Sequence, residues 1–518
     1  MRRKVLFSTL CAVAITVSVF GQEKVDLNAV KKIREEGLNH SKVMETAFYI
    51  TDVSGPRLSG SPGLKRAQNW AVEKLKSYGL ANAKLEPWGT FGKGWEIERN
   101  YAAITVPYYH AIIAVPKAWT PGTHGAIKSE IVLLKADTIT DLAQYKGKLA
   151  GKIVIYDSNS KLPLGSTTAD FLRYTDEQLA ELARVSPEAA KNNANDISPQ
   201  ILARRRFLAW RNQVVDFLTS ENVALILSQG RGMDGTVFTS NGASYKEDAK
   251  PVSPELETSS EDYFRIVRLL KAGQKVEMEA DVQTKFFTDD LQGYNVIAEI
   301  PGTDKKLKDQ VVMLGAHFDS WHAATGATDN AAGSAVMIEA MRILKAINFK
   351  PKRTIRIALW SSEEQGLIGS RNYVLNHFGN PAVQLKPEQA KVSAYYNLDN
   401  GTGKIRGVYL QGNGAVAPIF KAWLEPFNDL DASTLTISST GSTDHVSFDA
   451  VGIPGFQFIQ DVMDYASRTH HSNQDTYDRL SEDDLKQAAT IIASFVYNTA
   501  QRPEMLPRKE LPKAQGTN

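Results

Sequence analysis

The feature that most constrains this chain lies between residues 293 and 500, where short apolar segments alternate with helical ones. Apolar runs at 311–316, 354–360, 392–398 and 454–459 predict buried strands, and the patterns at 330–347 and 482–500 predict helices. Strands separated by helices favour a layered α/β domain with a mixed, mostly parallel sheet. In such sheets, ligands bind beyond the carboxyl ends of the strands. A functional site is therefore expected at that edge.

Each of the four predicted strands is followed by acidic or histidine side chains. In chain order these side chains are His317 and Asp319, Glu363 and Glu364, Asp399, and His470 and His471. Asp329, which precedes a predicted helix, would by itself indicate only a helix N-cap. The acidic and histidine side chains taken together indicate a bound cation, because buried strands should not repeatedly end in carboxylates unless positive charge compensates them. The sequence therefore predicts a metal site.

The residue types in this group suit two zinc ions. Histidine and carboxylate are zinc ligands, and two ions roughly 3.5–4 Å apart share a carboxylate. Asp329 is placed to bridge the ions. We expect Glu364 to join His317 on one ion, and Asp399 to join a histidine at 470 or 471 on the other.

Two further acids fit supporting and catalytic roles. Asp319 lies two residues after His317 and can accept the second N–H of that imidazole, which would orient it. Glu363 is adjacent to a predicted ligand and is placed to take a proton from an attacking water. Metal-bound water, a general base and a polarised carbonyl together predict a hydrolase.

Composition removes other classes of site and partner. The 518 residues include a single cysteine, so an internal disulfide framework and a cysteine-rich zinc site are excluded. With 60 basic and 58 acidic residues the formal charge is +2, which gives no reason to expect nucleic acid or an anionic membrane as partner. Length alone suggests two or three domains.

The chain divides into five predicted parts. Arg2, Arg3 and Lys4 precede a short apolar run ending near Gly21, so residues 1–21 are predicted to be a cleaved signal peptide. We therefore expect an exported protein, secreted or periplasmic, without stable membrane insertion. Residues 22–123 and 289–505 are assigned to the catalytic domain, residues 124–288 to a separate inserted domain, and residues 506–518 to a loose tail.

Four segments carry a family resemblance. Residues 315–321, 326–333, 360–370 and 396–399 resemble the co-catalytic zinc exopeptidases of the MH clan, which include bacterial aminopeptidases and carboxypeptidase Q. The resemblance implies a three-layer sandwich of the zinc-peptidase, phosphorylase/hydrolase-like fold. It also implies that the middle block is a β-rich protease-associated domain.

The same resemblance implies roles for individual residues. It makes His317, Asp329, Glu364, Asp399 and a late histidine the ligands of two Zn²⁺ ions, and Glu363 the general base. The register favours His471 as the late ligand. His470 then stands where the family often has a tyrosine, and it could stabilise an oxyanion.

The sequence is compatible with several functions. We favour an aminopeptidase or dipeptidase acting on peptides. The alternative is a carboxypeptidase Q-like enzyme, and a single-zinc glutaminyl cyclase is a less favoured alternative. A binding protein on an inactive peptidase scaffold would lack ligands, and none is missing. His322 is interpreted as a rim residue and Asp444-His445 as supporting structure. The peptide end that is recognised and the formation of a homodimer stay open.

Overall fold

The computed structural model describes residues 23–157, 161–162, 169–187 and 199–511. The predicted signal peptide and the last part of the predicted tail, residues 512–518, lie outside these ranges. None of the helices within them combines the length and the hydropathy that crossing a bilayer requires.

Strands and helices alternate along most of the described chain. The strands are β1 (Ala81–Thr90), β2 (Gly94–Val106), β3 (His110–Ala111), β4 (Ala114–Pro116), β5 (Ile127–Leu134), β6 (Ile153–Tyr156), β7 (Leu225–Gln229), β8 (Glu255–Thr258), β9 (Glu277–Phe287), β10 (Gln292–Ile300), β11 (Val311–His317), β12 (Thr354–Trp360), β13 (Gly379–Asn380), β14 (Gln384–Leu385), β15 (Val392–Asn397), β16 (Ile405–Tyr409), β17 (Thr434–Thr436) and β18 (Gly455–Gln460). The α-helices span Leu27–Asn39, Val43–Phe48, Pro62–Ser77, Ile139–Ala143, Asp176–Ala183, Pro199–Ser220, Ser260–Lys271, Ala332–Ala346, Ile368–Phe378, Ala417–Leu424, His445–Asp449 and Glu482–Gln501.

The first sheet is mixed, and its order is β1-β10-β12-β11-β15-β18-β16-β17. Its centre is parallel, because β11 pairs in parallel with both β12 and β15, and β15 pairs in parallel with β18. β11 and β15 are almost entirely buried, as expected for strands covered on both faces. All four strands predicted from the apolar runs belong to this sheet.

Helices cover both faces of the first sheet and make three layers. One face packs against the helices Ala332–Ala346 and Glu482–Gln501 and against the three N-terminal helices. The other face packs around Trp360, Tyr395 and Phe448, which contact the helix Ile368–Phe378. The predicted α/β sandwich with a mixed, mostly parallel central sheet is confirmed.

A second eight-stranded sheet lies between β1 and β10 in the sequence. Its order is β3-β2-β9-β5-β6-β7-β8-β4, and it has its own apolar core. Because β1 and β10 pair with each other, the chain leaves the first sheet after β1 and returns to the neighbouring position. Residues 94–287 are called the insert below. Its sheet begins at β2, well before the predicted boundary at residue 124.

The start of the predicted loose tail is packed against the first sheet. Leu506 is buried and its N–H is bonded to the Ser393 hydroxyl at 3.2 Å. The Arg508 guanidinium donates to the carbonyls of Gln389 and Val392. Residues 506–511 are therefore attached to the domain rather than loose, because Leu506 and Arg508 form hydrogen bonds with residues in and next to β15.

Candidate metal centre

Three neighbouring parallel strands bring the predicted site residues to one edge of the first sheet. His317 is the last residue of β11, Asp399 follows β15, and Glu363 and Glu364 follow β12. Because β11 lies between β12 and β15, its carboxyl end is adjacent to both. The loop after β18 adds His470 and His471, and a wide helical turn, Ala327–Ala331, adds Asp329.

One half of the cluster is formed by His317, Asp329 and Asp399. The Nε2 atom of His317 lies 3.2 Å from Asp329 Oδ1 and 3.3 Å from Asp399 Oδ1. The three side chains offer one ligand atom each, all within 4.8 Å of one another. Since His317 and Asp329 are nearly inaccessible to solvent, these charges are held in a setting of low polarity.

The other half is formed by His471, Glu364 and the same aspartate. His471 Nε2 lies 2.9 Å from Glu364 Oε2 and 3.2 Å from Asp329 Oδ2. Asp329 thus directs one carboxylate oxygen to each half, as a bridging ligand must.

The pairing expected from sequence was wrong. It placed Glu364 with His317, and Asp399 with the late histidine, whereas the structure pairs His317 with Asp399 and His471 with Glu364. Strand order leaves both pairings open, because the ends of β12 and β15 both lie beside β11. The loop after β18 decides between them, since it brings His471 to 2.9 Å from Glu364.

His470 occupies a more peripheral position than His471. Its Nε2 atom is 3.9 Å from Asp329 Oδ2, and its side chain is 42% exposed. Its ring packs against Tyr465, with centroids 4.8 Å apart. Burial lowers the pKa of His470, which favours the neutral imidazole at neutral pH.

Asp319 holds the backbone of the two glutamates. Its carboxylate accepts the N–H of Glu363 at 3.2 Å and that of Glu364 at 3.3 Å, and it also accepts the Ser59 hydroxyl at 3.1 Å. The Nδ1 atom of His317 lies 3.0 Å from the backbone carbonyl of Asp319 and 3.7 Å from its carboxylate. The imidazole is therefore oriented mainly by the carbonyl, rather than by the carboxylate that the sequence indicated.

Burial sets the protonation of the acids in the protein without metal. Burial raises the pKa of Glu363 well above its usual range, and the nearby carboxylates of Asp399 and Asp444 add to the effect. Burial together with Asp329 raises the pKa of Glu364 to about 7. Although burial opposes it, the carboxylates of Glu364 and Asp329 raise the pKa of His471 to about 10. A cation at this position would relieve the repulsion among the acids.

These residues fit zinc by the types of their side chains and by a carboxylate oxygen that lacks a hydrogen-bond partner among the described residues. Two imidazoles and three carboxylates form two groups that share Asp329, and histidine and carboxylate are zinc ligands. One carboxylate oxygen of Glu364, Oε1, is buried without a hydrogen-bond partner among the described residues. A buried acceptor without a donor is costly unless a cation binds it.

Two residues that support the site were not identified from sequence. The carboxylate of Asp475 accepts the backbone N–H groups of Thr328 at 2.6 Å and Asp329 at 3.1 Å. Arg57 is fully buried and donates to the carbonyls of Phe318, Thr325 and Gly326. Both bind backbone groups distant in sequence, so no local pattern revealed them. The only signal was a charged residue in each of two turn-rich loops.

Two minor interpretations of the sequence concern His322 and the pair Asp444-His445. His322, interpreted as a rim residue, is buried, with Nε2 2.7 Å from the carbonyl of Pro116 at the end of β4. That interpretation was wrong, because the insert covers the imidazole. Asp444 and His445 are fully buried behind the cluster, and Nε2 of His445 lies 2.9 Å from the side-chain amide of Gln411.

Comparisons with known proteins point to a family of peptidases. Residues 295–496 match the family described as Peptidase family M28. Carboxypeptidase Q of Bos taurus is 28% identical over 477 residues, which cover 91% of this chain and 88% of the relative. Aminopeptidase YwaD of Bacillus subtilis is 27% identical over 266 residues, 50% of this chain and 56% of the relative.

Solved structures share the fold over nearly the whole chain. A structure described as a Peptidase M28 precursor from Shewanella amazonensis has a TM-score of 0.65 at 24% identity, covering 94% of this chain and 99% of that one. The zinc aminopeptidase BSAP of Bacillus subtilis has a TM-score of 0.53 at 19% identity, covering 89% and 94%. The resemblance predicted from the motifs is confirmed: residues 295–496 match the model of peptidase family M28, and this chain is a zinc metallopeptidase, a hydrolase of peptide bonds.

Proposed function

We propose that this protein is an exopeptidase that binds two zinc ions and removes residues from one end of a peptide. The observation that supports it best is the double contact of Asp329, which directs one oxygen to His317 and the other to His471. His317, Asp329 and Asp399 would hold one ion, and Asp329, Glu364 and His471 the other. When bound, the ions would supply positive charge that polarises a scissile carbonyl and acidifies water.

The side chains of the chain itself then perform the proton transfers. Glu363 is adjacent to the proposed ligand Glu364, and its backbone N–H is held by Asp319. We propose that its carboxylate takes the proton of the attacking water and delivers it to the leaving amine. The neutral ring of His470, at the exposed side of the cluster, would stabilise the oxygen of the carbonyl under attack.

One cation supports recognition of a carboxyl-terminal end. Arg231 of the insert is exposed, and its guanidinium lies 5.1 Å from the centre of the Phe238 ring. Phe238 pairs with Arg231 on one side and with Ser472, next to His471, on the other. Within the described ranges, the guanidinium makes no ion pair, so it is free to bind a substrate carboxylate. We therefore favour carboxypeptidase or dipeptidase activity, which agrees with the name of the carboxypeptidase Q relatives.

Two measurements test this proposal. Metal analysis of the purified protein should find close to two zinc ions per chain, whereas a single ion would indicate the cyclase alternative. Peptides with an acetylated N-terminus should be hydrolysed, and peptides with an amidated C-terminus should not. The reverse pattern would indicate a strict aminopeptidase.

We also propose that the protein is exported after cleavage of residues 1–21. The basic start and apolar run described above support this, and the mature chain would then lack cysteine. N-terminal sequencing of the exported protein should begin at Gln22. A mature protein that retains Met1 would contradict it.

A further inference from the structure

The loop that carries His471 is hydrogen-bonded to the insert through its backbone. His471 has a backbone φ of 63°, in the left-handed region that residues other than glycine rarely adopt. Its carbonyl accepts the backbone N–H of Thr239 at 2.7 Å and the Thr239 hydroxyl at 3.3 Å. An unusual conformation persists only where the surroundings hold it. Here the insert supplies that hold at the residue whose side chain contacts Glu364.

Asn473 continues the connection two residues further along the loop. Its side-chain oxygen accepts the N–H of Val237 at 2.8 Å, and its side-chain nitrogen donates to the Gly235 carbonyl at 3.1 Å. Its own N–H donates to the carbonyl of Val237 at 3.1 Å. Val237 is fully buried, and the two bonds of the Asn473 side chain are partly buried. One side chain thus joins two backbone positions of the insert to the loop.

Arg468 binds the insert from the part of the loop that precedes His471. Its guanidinium donates to Asp170 at 2.6 Å and to Asp234 at 2.9 Å, and both acids belong to the insert. It also donates to the Thr236 hydroxyl at 3.1 Å. The loop is therefore bound to the insert both before and after His471.

The other four proposed ligands are positioned from within the first sheet and its loops. The Ser334 hydroxyl binds the carbonyl of His317 at 2.7 Å, and Asp475 binds the N–H of Asp329. Asp319 binds the N–H of Glu364, and Asp399 directly follows β15. Among the contacts of the described residues, the insert therefore acts on one half of the centre more than on the other.

We infer that residues 233–239 of the insert are a structural part of the zinc centre, and that Asn473 is a positioning residue which sets the affinity of the Glu364–His471 half. The inference rests on the proposed two-zinc function. It assigns the insert a role in holding metal, in addition to any role in covering the substrate. The ion held by Glu364 and His471 should depend on the insert, and the ion held by His317 and Asp399 should not.

Zinc binding to Asn473→Ala tests this directly. Removing the amide breaks the bonds to Val237 and Gly235 without altering any ligand. We expect one zinc ion to bind with unchanged affinity and the other about 10–100-fold more weakly, the usual cost of losing an outer partner of a ligand. Competition with a chelator, read by metal analysis, measures both affinities. Excess zinc should restore activity, which it would not do for a general structural defect.

Arg173→Ala is the matched control, because Arg173 also joins the insert to the first sheet but contacts the loop after β18 only at its first residue, Asp461, far from His471. It binds Asp461 and Asp484, each at 2.8 Å. This variant should bind both ions with unchanged affinity. Asn473→Asp provides a milder second variant, since it keeps an acceptor for Val237 and loses the donor to Gly235.

Several outcomes would overturn the inference. These are unchanged affinity for both ions in the two Asn473 variants, an equal loss in Arg173→Ala, and failure of both Asn473 variants to fold while Arg173→Ala folds. Wild-type protein that binds fewer than two zinc ions would contradict the proposed function as well. Failure of the inference alone is therefore distinguishable from failure of the function.

Discussion

The carboxylate of Asp319 accepts the backbone N–H of Glu363 at 3.2 Å, so the acid after β11 fixes the chain after β12. The same carboxylate holds the N–H of Glu364. One side chain thereby orients both the proposed general base and a proposed ligand. The first two predictions concern Glu363, the proposed general base, and Asp319, which holds it.

Replacement of Glu363 by glutamine should remove turnover and keep the metal. Glutamine retains the shape and the backbone bond to Asp319 but cannot accept a proton from water. We expect kcat to fall by about 10²–10⁴-fold, the usual contribution of a general base, with zinc content unchanged. Steady-state kinetics and metal analysis on the same sample check this. Wild-type turnover in Glu363→Gln would refute the assigned role.

Asp319→Asn should weaken both the base and the metal centre. The amide can accept only one of the two backbone N–H groups well, so the Glu363-Glu364 turn should lose its fixed geometry. We expect zinc affinity or kcat to fall about 10–100-fold. Asp304→Asn is the matched control, because Asp304 also accepts two backbone N–H groups, at 2.7 and 3.0 Å, but on an exposed turn. Equal effects of the two substitutions would argue against the role of Asp319.

The zinc-free protein should lose stability as the pH rises from about 4 to about 7. Burial raises the pKa of Glu364, Asp444 and Asp475 each to about 7 in the folded chain. These three acids bind more protons in the folded state than in the unfolded state over this window, so their contribution to the free energy of unfolding falls as pH increases. His322 and His445, whose pKa values burial lowers to about 4, oppose part of this effect. Thermal unfolding of chelator-treated protein at several pH values measures the slope.

Zinc should reverse this trend, because the cation stabilises the deprotonated acids. The increase in melting temperature on adding zinc should be larger at pH 7 than at pH 5. Asp444→Asn, which removes one of the three acids without touching a proposed ligand, should flatten the slope of the zinc-free protein. A slope that is unaffected by this substitution would show that Asp444 does not titrate as described.

Arg231→Ala should weaken the binding of substrates with a free C-terminal carboxylate. Loss of a charge-assisted hydrogen bond usually costs about 1.5–3 kcal/mol, so KM should rise by roughly tenfold or more with a smaller change in kcat. Arg268→Ala, an exposed arginine on the helix Ser260–Lys271, is the control and should leave KM unchanged. Unchanged KM in Arg231→Ala would remove the support for carboxyl-terminal recognition.

Much of the site was predictable because strands have direction. The carboxyl ends of parallel strands meet at one edge, so acids and imidazoles after β11, β12 and β15 had to come together. The local pattern of apolar runs and the residues after them are enough for this conclusion. His317, Glu363, Glu364 and Asp399 are therefore predictable as neighbours without any knowledge of strand order.

Which neighbours pair was decided by tertiary structure. β11 lies between β12 and β15 in the sheet, so both Glu364 and Asp399 follow strands beside His317. The loop after β18 brings His471 to Glu364, and His317 contacts Asp399. Sequence spacing cannot reveal this, because the path of that loop depends on contacts with segments distant in sequence.

The sequence by itself determined the α/β class, the chemistry of the ligand set and the resemblance to zinc exopeptidases, since all three depend on residue type and local pattern. Only the tertiary structure decided that Arg57 and Asp475 support the centre and that Asn473 joins the His471 loop to the insert. Those contacts are hydrogen bonds between a side chain and backbone groups of segments as far apart as Asn473 and Gly235. Any backbone carbonyl or N–H can form such a bond, so its partner leaves no signature in the sequence.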